Sequence, residues 1–308
     1  MIRIEPYSKK FEEVYWEAVD REISYYTRER IMNSCVQYLP SAFWGNVPTF
    51  KDLILAPFEK LKMAQRYITR SSNRMIMEIE CFDQGAAGNN RPLKYPYDSI
   101  CSAYGDVADL KENGASMRVR IVRNTGLTVC PYCNRDYINS RAEDASGAQL
   151  DHFFSKDEYP LFAVCLYNLV PVCGNCNRIK SNKSAEFASP FDSAIDWANA
   201  VKFSYSKRSK QVKITVKNNK KAIKNNIEKM KIREAYQIHA MEAEEFLEKE
   251  KTYSKTQRQE FAEVLHTIHV TEREIKQAIF GPEITEEAMK KKPLGKMMRD
   301  LQKKYEIY

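Results

Sequence analysis

Two cysteine pairs carry the plainest chemistry in this chain. Cys130-Pro-Tyr-Cys133 and Cys173-Gly-Asn-Cys176 stand 39 residues apart. A two-residue spacer lets both thiolates of a pair reach one tetrahedral ion at about 2.3 Å. Two such knuckles close a four-sulfur site with no position left for water or substrate, so one structural zinc ion per chain is expected. Between the knuckles lie Asp151-His152-Phe153-Phe154, Lys156, Tyr159-Pro160 and Asn168-Leu169-Val170-Pro171; Asn177 and Lys180 follow the second knuckle. A histidine titrating near pH 6.5 suits proton abstraction from water. Carboxylate and carboxamide oxygens suit Mg²⁺ or Mn²⁺. On a strand, Asp151 and His152 point to opposite faces unless the strand bends. On a helix, Asn177 and Lys180 share one face.

Cys-Pro-Tyr-Cys is also similar to a glutaredoxin active site. Thiol redox chemistry needs a strand before the motif and a helix whose N-terminus activates the first thiol. A strand candidate, Ile121-Val122-Arg123, does precede the motif, but Asn134-Arg135-Asp136-Tyr137 after it is not apolar-periodic. The second knuckle would also go unexplained. Cys35, Cys81, Cys101 and Cys165 lack partner spacing and read as small buried hydrophobes. His239, His266 and His269 lie in expected helices with no partner motif and read as core or surface residues.

Taken in order, the motifs run CxxC, Asp-His, then Asn-Leu-x-Pro-x-CxxC-Asn, with a basic residue a turn later. This resembles the HNH, or ββα-metal, endonucleases, and most closely those braced by a four-cysteine zinc site. The resemblance covers roughly residues 128–185. Its texture is also similar to the HNH subunit of Septu-type and retron-associated anti-phage systems. The resemblance implies that His152 is the general base and that Asp151 and Asn177 hold a catalytic Mg²⁺ or Mn²⁺. It implies that Asn168 orients the His152 ring. Lys156, Lys180 and Lys183 are the implied phosphate contacts near the site. The last position is Asn rather than His, a variant that bears on metal preference.

The elements around these motifs are mainly helical. Phe11, Val14, Tyr15, Ala18, Val19 and Ile23 recur at helical spacing, and a second such segment runs from Phe50 towards Tyr67. Met75–Phe82 reads as a strand or a buried helix end, and 85–92 as a loop. Lys202–Tyr205 and Val212–Val216 alternate as a hairpin joined by a basic turn. Helical spacing resumes over Ala222–His266 and again over Pro293–Tyr305. The expected fold is α+β: a helical region 1–125 for partner binding or regulation, a zinc-braced HNH module 126–195, and a basic hairpin with helices over 196–308.

The chain has 308 residues and a formal charge of +8, which favours an acidic partner such as nucleic acid. The charge is concentrated: residues 201–308 hold 25 Lys and Arg against 16 Asp and Glu, and 201–233 holds 12 against Glu228 alone. Lys220 and Lys221 are therefore candidate backbone contacts. No apolar run is long enough to span a membrane, and no secretory leader opens the chain, so a reducing cytoplasm is expected. The leading expectation is a metal-dependent endonuclease acting on DNA, a prokaryotic defence effector controlled by a separate ATPase or other regulatory subunit. One such site cuts one strand, so a double-strand break calls for a homodimer or two visits. The alternatives are a catalytically inactive, zinc-stabilised nucleic-acid-binding module and an HNH effector that cleaves RNA or tRNA.

Overall fold

Local signals set the first helices. In α1 (Lys9–Glu22) the Ser8 hydroxyl caps the start by accepting from Phe11 N, and Phe11, Tyr15, Ala18 and Val19 form one buried face. After α2 (Tyr25–Cys35), a capping box of Thr49 and Asp52 starts α3 (Phe50–Ile54). Helix α4 (Phe58–Thr69) buries Phe58, Leu61, Ala64 and Ile68 at helical spacing. The computed structural model describes residues 1–35, 39–45, 47–69, 94–112, 114–181, 185–217 and 220–308. The readings for Met75–Phe82 and 85–92, together with Cys81 and Lys183, lie outside the described residues.

Helix α5 (Lys94–Asp109) leads through a short hairpin, β1 (Lys111–Glu112) with β2 (Ala115–Ser116), into α6 (Met117–Asn124). The strand expected at Ile121–Arg123 is therefore helix. The Ser116 side chain caps it by accepting from Val119 N, and Met117 and Ile121 stack one turn apart on its buried side. That burial outweighs the small helix penalty of Val119, Ile121 and Val122.

The centre holds β3 (Gln149–His152) and β4 (Leu169–Val172), antiparallel with Asp151 opposite Val170 and His152 opposite Leu169. Helix α7 (Gly174–Lys180) follows directly and packs on β3. After α8 (Trp197–Ala200) comes the expected hairpin, β5 (Val201–Ser206) with β6 (Gln211–Val216). Val201, Phe203, Tyr205, Val212 and Ile214 point inward while Lys202 and Lys213 point outward. Seven helices complete the chain: α9 (Lys221–Lys229), α10 (Ile232–Ala235), α11 (Ala240–Thr252), α12 (Lys255–His266), α13 (Glu272–Phe280), α14 (Glu286–Lys291) and α15 (Gly295–Lys304). The architecture is α+β, mostly helical with small two-stranded sheets. No helix among the described residues is long and apolar enough to cross a membrane.

One continuous buried cluster runs from Met1 to Ile307, so all three stretches of sequence share a core. Polar ties cross it. Tyr15 donates to the Val164 carbonyl at 2.8 Å, and Tyr167 donates to buried Glu12 at 2.6 Å. The first knuckle is held by segments far along the chain. Ile2 N donates to the Pro131 carbonyl. Asn134, fully buried with φ +54°, donates to the Met289 carbonyl and accepts from Lys296 N, while its own carbonyl accepts from Leu294 N.

Candidate metal centre and histidine site

The first knuckle is a tight turn in which Cys130 N donates to the Asp136 carbonyl and Asn134 N to the Cys130 carbonyl. The second is a helix start: Cys173 is the N-cap of α7, its sulfur accepting from Cys176 N. The four sulfurs lie within 4.8 Å of one another, and Cys133 Sγ and Cys173 Sγ are 3.9 Å apart. A tetrahedral ion with about 2.3 Å bonds requires sulfurs about 3.8 Å apart, so these buried thiols can hold one metal ion. Hydrogen bonds from Cys130, Cys173 and Cys176 pull the Cys133 thiol well below its ordinary range. Bonding to Cys130 and Cys133 pushes Cys173 and Cys176 far above it. Four thiols this close ionise together only when a cation balances their charge. Cys130 is buried in a turn rather than poised at a helix N-terminus, which disfavours the redox reading.

A strand, a second strand and a helix stand in order around this cluster. Asn177 and Lys180, one turn apart on α7, face Gln149 and Asp151, two residues apart on β3. Asn177 Nδ2 donates to Gln149 Oε1 at 2.8 Å, and Lys180 Nζ donates to Asp151 Oδ1 at 3.0 Å. The Asp151–Lys180 pair is buried, with side chains 5% and 4% exposed. Asp151 Oδ2 accepts from the Tyr132 hydroxyl at 2.7 Å, and Lys180 Nζ also donates to the His152 carbonyl at 3.1 Å. The rings of Phe153 and Phe187 flank the ammonium at 5.6 and 5.9 Å. Tyr132 is a spacer residue of the first knuckle, so the sulfur cluster and β3 are joined by one hydrogen bond.

His152 projects from the opposite face of β3. Its Nε2 lies 2.9 Å from the Ala163 carbonyl, and the Tyr104 ring of α5 meets it edge-on at 4.4 Å. A carbonyl only accepts, so Nε2 carries the proton and Nδ1 presents a lone pair that takes no partner among the described residues. Burial lowers the ring's pKa to about 4, opposed by the Ala163 bond and reinforced by the nearby Lys156 charge. The imidazole is thus neutral at any working pH. Lys156 is half-buried, its ammonium 5.7 Å from the Tyr104 ring.

Several expected roles change in this geometry. Asn168 makes no hydrogen bond to the His152 ring among the described residues. It is fully buried and closes the intervening loop: Oδ1 accepts from Phe154 N at 2.8 Å, and Nδ2 donates to the Phe154 and Phe162 carbonyls. The ring is oriented instead by Ala163, the neighbour of a residue that Asn168 pins. Lys180 does not reach out for phosphate, because its ammonium is consumed by Asp151. Asp151 and Asn177 share a face, but both Asp151 oxygens accept hydrogen bonds, from Tyr132 and Lys180, so a dication bound there would have to displace the Lys180 ammonium. Asp151 and His152 keep the regular strand register and engage different partners, Tyr132 and Lys180 on one side and Ala163 on the other.

Cys165 and His266 behave as their spacing suggests, whereas His269, expected in a helix, lies in a turn after α12 with φ +63°, and His239 ends a short 3-10 turn. Cys165 is buried, its thiol donating to the Leu53 carbonyl at 3.2 Å. His266 and His269 are exposed. His239 is half-buried, accepting from Arg135 Nε at 3.0 Å and bonded to Glu242 at 2.8 Å. Lys220 and Lys221 are exposed at the start of α9 and share a cavity with Lys180. Tyr104, Ala163 and Tyr132 complete the site without having been singled out in the sequence. Of these, Tyr132 alone had a local signal, its place inside a knuckle. Comparison with protein-family models, curated proteins and solved structures gives no match to this chain.

Proposed function

We propose that this protein is an endonuclease of the HNH kind, hydrolysing phosphodiester bonds of DNA, with a zinc ion on Cys130, Cys133, Cys173 and Cys176 as its structural brace. One observation carries the reading: one nitrogen of the buried His152 imidazole is fixed on the Ala163 carbonyl, and Nδ1, without a partner among the described residues, is left to accept a proton, with burial favouring the neutral ring. In this role Nδ1 takes a proton from the attacking water. The negative charge of a bound phosphodiester raises the basicity of the ring as it does so. Tyr104 excludes water from one edge of the imidazole, and the Lys156 ammonium supplies positive charge beside it. Asn168 positions the loop that carries Ala163. Because Asp151 is committed to Lys180 and Tyr132, no step is assigned to a divalent ion.

The biological setting follows from the sequence resemblance alone: a prokaryotic defence effector, held in check by a separate ATPase or regulatory subunit, with homodimerisation as one route to a double-strand break. RNA is a second substrate class under the same chemistry. The closed Asp151–Lys180 pair favours a second reading, a zinc-braced module that binds nucleic acid without cutting it.

Supercoiled plasmid, incubated with wild type or His152→Ala in Mg²⁺, Mn²⁺ or neither, separates these readings. Nicking that disappears in the variant is the expected result, and the metal series reads the divalent requirement directly. Equal nicking by both proteins sinks the role of His152. Salt-sensitive binding without nicking, under every metal condition, supports the non-cutting module.

A further inference from the structure

Just past the end of β3, the chain lines a cavity of about 610 Å³, within the size range of small-molecule sites. Four stretches that are distant in sequence build it: α4, the loop after β3, the segment after α7, and the start of α9. Its wall is aromatic, formed by Phe58, Phe153, Phe154, Tyr159 and Phe187, with Phe58 and Phe154 lying parallel, 2° between planes. Cations and carboxylates share the rim. Lys62 pairs with Asp192 at 2.5 Å, and Lys180 pairs with Asp151. Arg66, Lys220 and Lys221 make no ion pair among the described residues and face a rim that also includes Glu158 and Glu186.

We propose that this cavity binds a nucleoside phosphate. Phe154 and Phe187, the half-buried rings of this wall, offer a stacking surface that accepts any base. The three unpaired cations offer the phosphate two or three charge-assisted hydrogen bonds. The carboxylates at the rim can accept from exocyclic amino groups, a contact that a purely anionic ligand such as inorganic phosphate cannot use. A free nucleotide and a base at an unpaired strand share this chemistry. The site is read independently of cleavage at His152, which is not among the residues that line the cavity.

The test uses the full chain carrying His152→Ala, so that no strand is cut, and follows fluorescence anisotropy of a labelled single-stranded oligonucleotide. Unlabelled cytidine monophosphate, inorganic phosphate and duplex DNA are the competitors. The expected result is competition by the nucleotide at concentrations where inorganic phosphate has no effect. Arg66→Glu and Lys221→Glu are each expected to weaken binding about tenfold or more, since charge reversal replaces attraction by repulsion. Phe187→Leu is expected to weaken it by about fivefold or more through lost stacking. Strand binding much tighter than nucleotide binding identifies an unpaired strand as the source, and comparable affinities identify a free nucleotide; both support the site. Equal competition by inorganic phosphate overturns it, as does binding unchanged by all three variants while their thermal unfolding matches the parent. Wild-type protein that nicks plasmid under no metal condition, while nucleotide binding is retained, would refute the hydrolytic reading and leave this one standing.

Discussion

The Tyr104 ring makes the state of His152 open to direct perturbation. Burial is the main cause of the depressed pKa, about 4 against an ordinary 6.5, and the Tyr104 ring, 4.4 Å away, supplies part of that burial. Tyr104→Ala opens one edge of the imidazole to water and should raise the pKa by about one unit or more. At pH 5.5 the wild-type ring is then about 97% neutral, whereas an unperturbed ring would be about 9% neutral. Linkage gives a second handle. The unfolded chain binds a proton on His152 below about pH 6.5 and the folded chain does not until about pH 4. Stability therefore falls as pH drops through that window, by at most about 3 kcal/mol for this group. Tyr104→Ala should flatten that share of the slope. Carbon-edited NMR of the imidazole Cε1–H signals reads the titration, and with 4 histidines in the chain His152→Ala assigns the resonance. A wild-type midpoint near 6.5 would refute the argument, as would a midpoint unmoved by Tyr104→Ala.

Three further outcomes are expected. Lys180→Met strands the Asp151 carboxylate in the interior and should cost about 3–5 kcal/mol in denaturant unfolding, whereas Lys180→Met with Asp151→Leu should recover much of it; equal loss in both would mean the pair is not the cause. Cys173→Ser should abolish binding of about one zinc per chain and bring cooperative unfolding to a lower temperature, and metal analysis showing undiminished zinc would remove the four-sulfur assignment. Asn168→Ala leaves the Phe154 amide and the Phe154 and Phe162 carbonyls short of partners and should cost about 1–3 kcal/mol or more. It should also lower plasmid nicking without changing strand affinity, and intact nicking would show that the loop does not set the Ala163 carbonyl.

What could be read from the sequence was whatever a short spacing encodes. The knuckles, the β5–β6 hairpin and the helical face of α1 each follow from residues within a few positions of one another. The hydrogen bond between Tyr132 and Asp151 spans 19 residues, and nothing local announces it. Tyr104 reaches His152 from a different helix, a meeting that depends on how α5 packs. Lys180 illustrates a subtler limit. Its position on the same helical face as Asn177 was legible, but a helix face has a direction only once its partner strand is known, and that partner carries Asp151. Ile121–Arg123 misled for a related reason, because three β-branched or long residues have no period of their own and Ser116, five positions earlier, decides for helix.

The hold of distant segments on Asn134 bears on how this chain is made. The exit of the first knuckle rests on Met289, Leu294 and Lys296, contacts that join positions more than 150 residues apart. A ribosome emitting roughly 5–20 residues per second has the knuckles and His152 outside the tunnel several seconds before those partners appear. During that interval the nascent chain holds every reactive group and lacks the clamp that fixes the first knuckle beside β3. The surroundings of the first knuckle are therefore completed only after α14 and α15 have emerged and docked on Asn134.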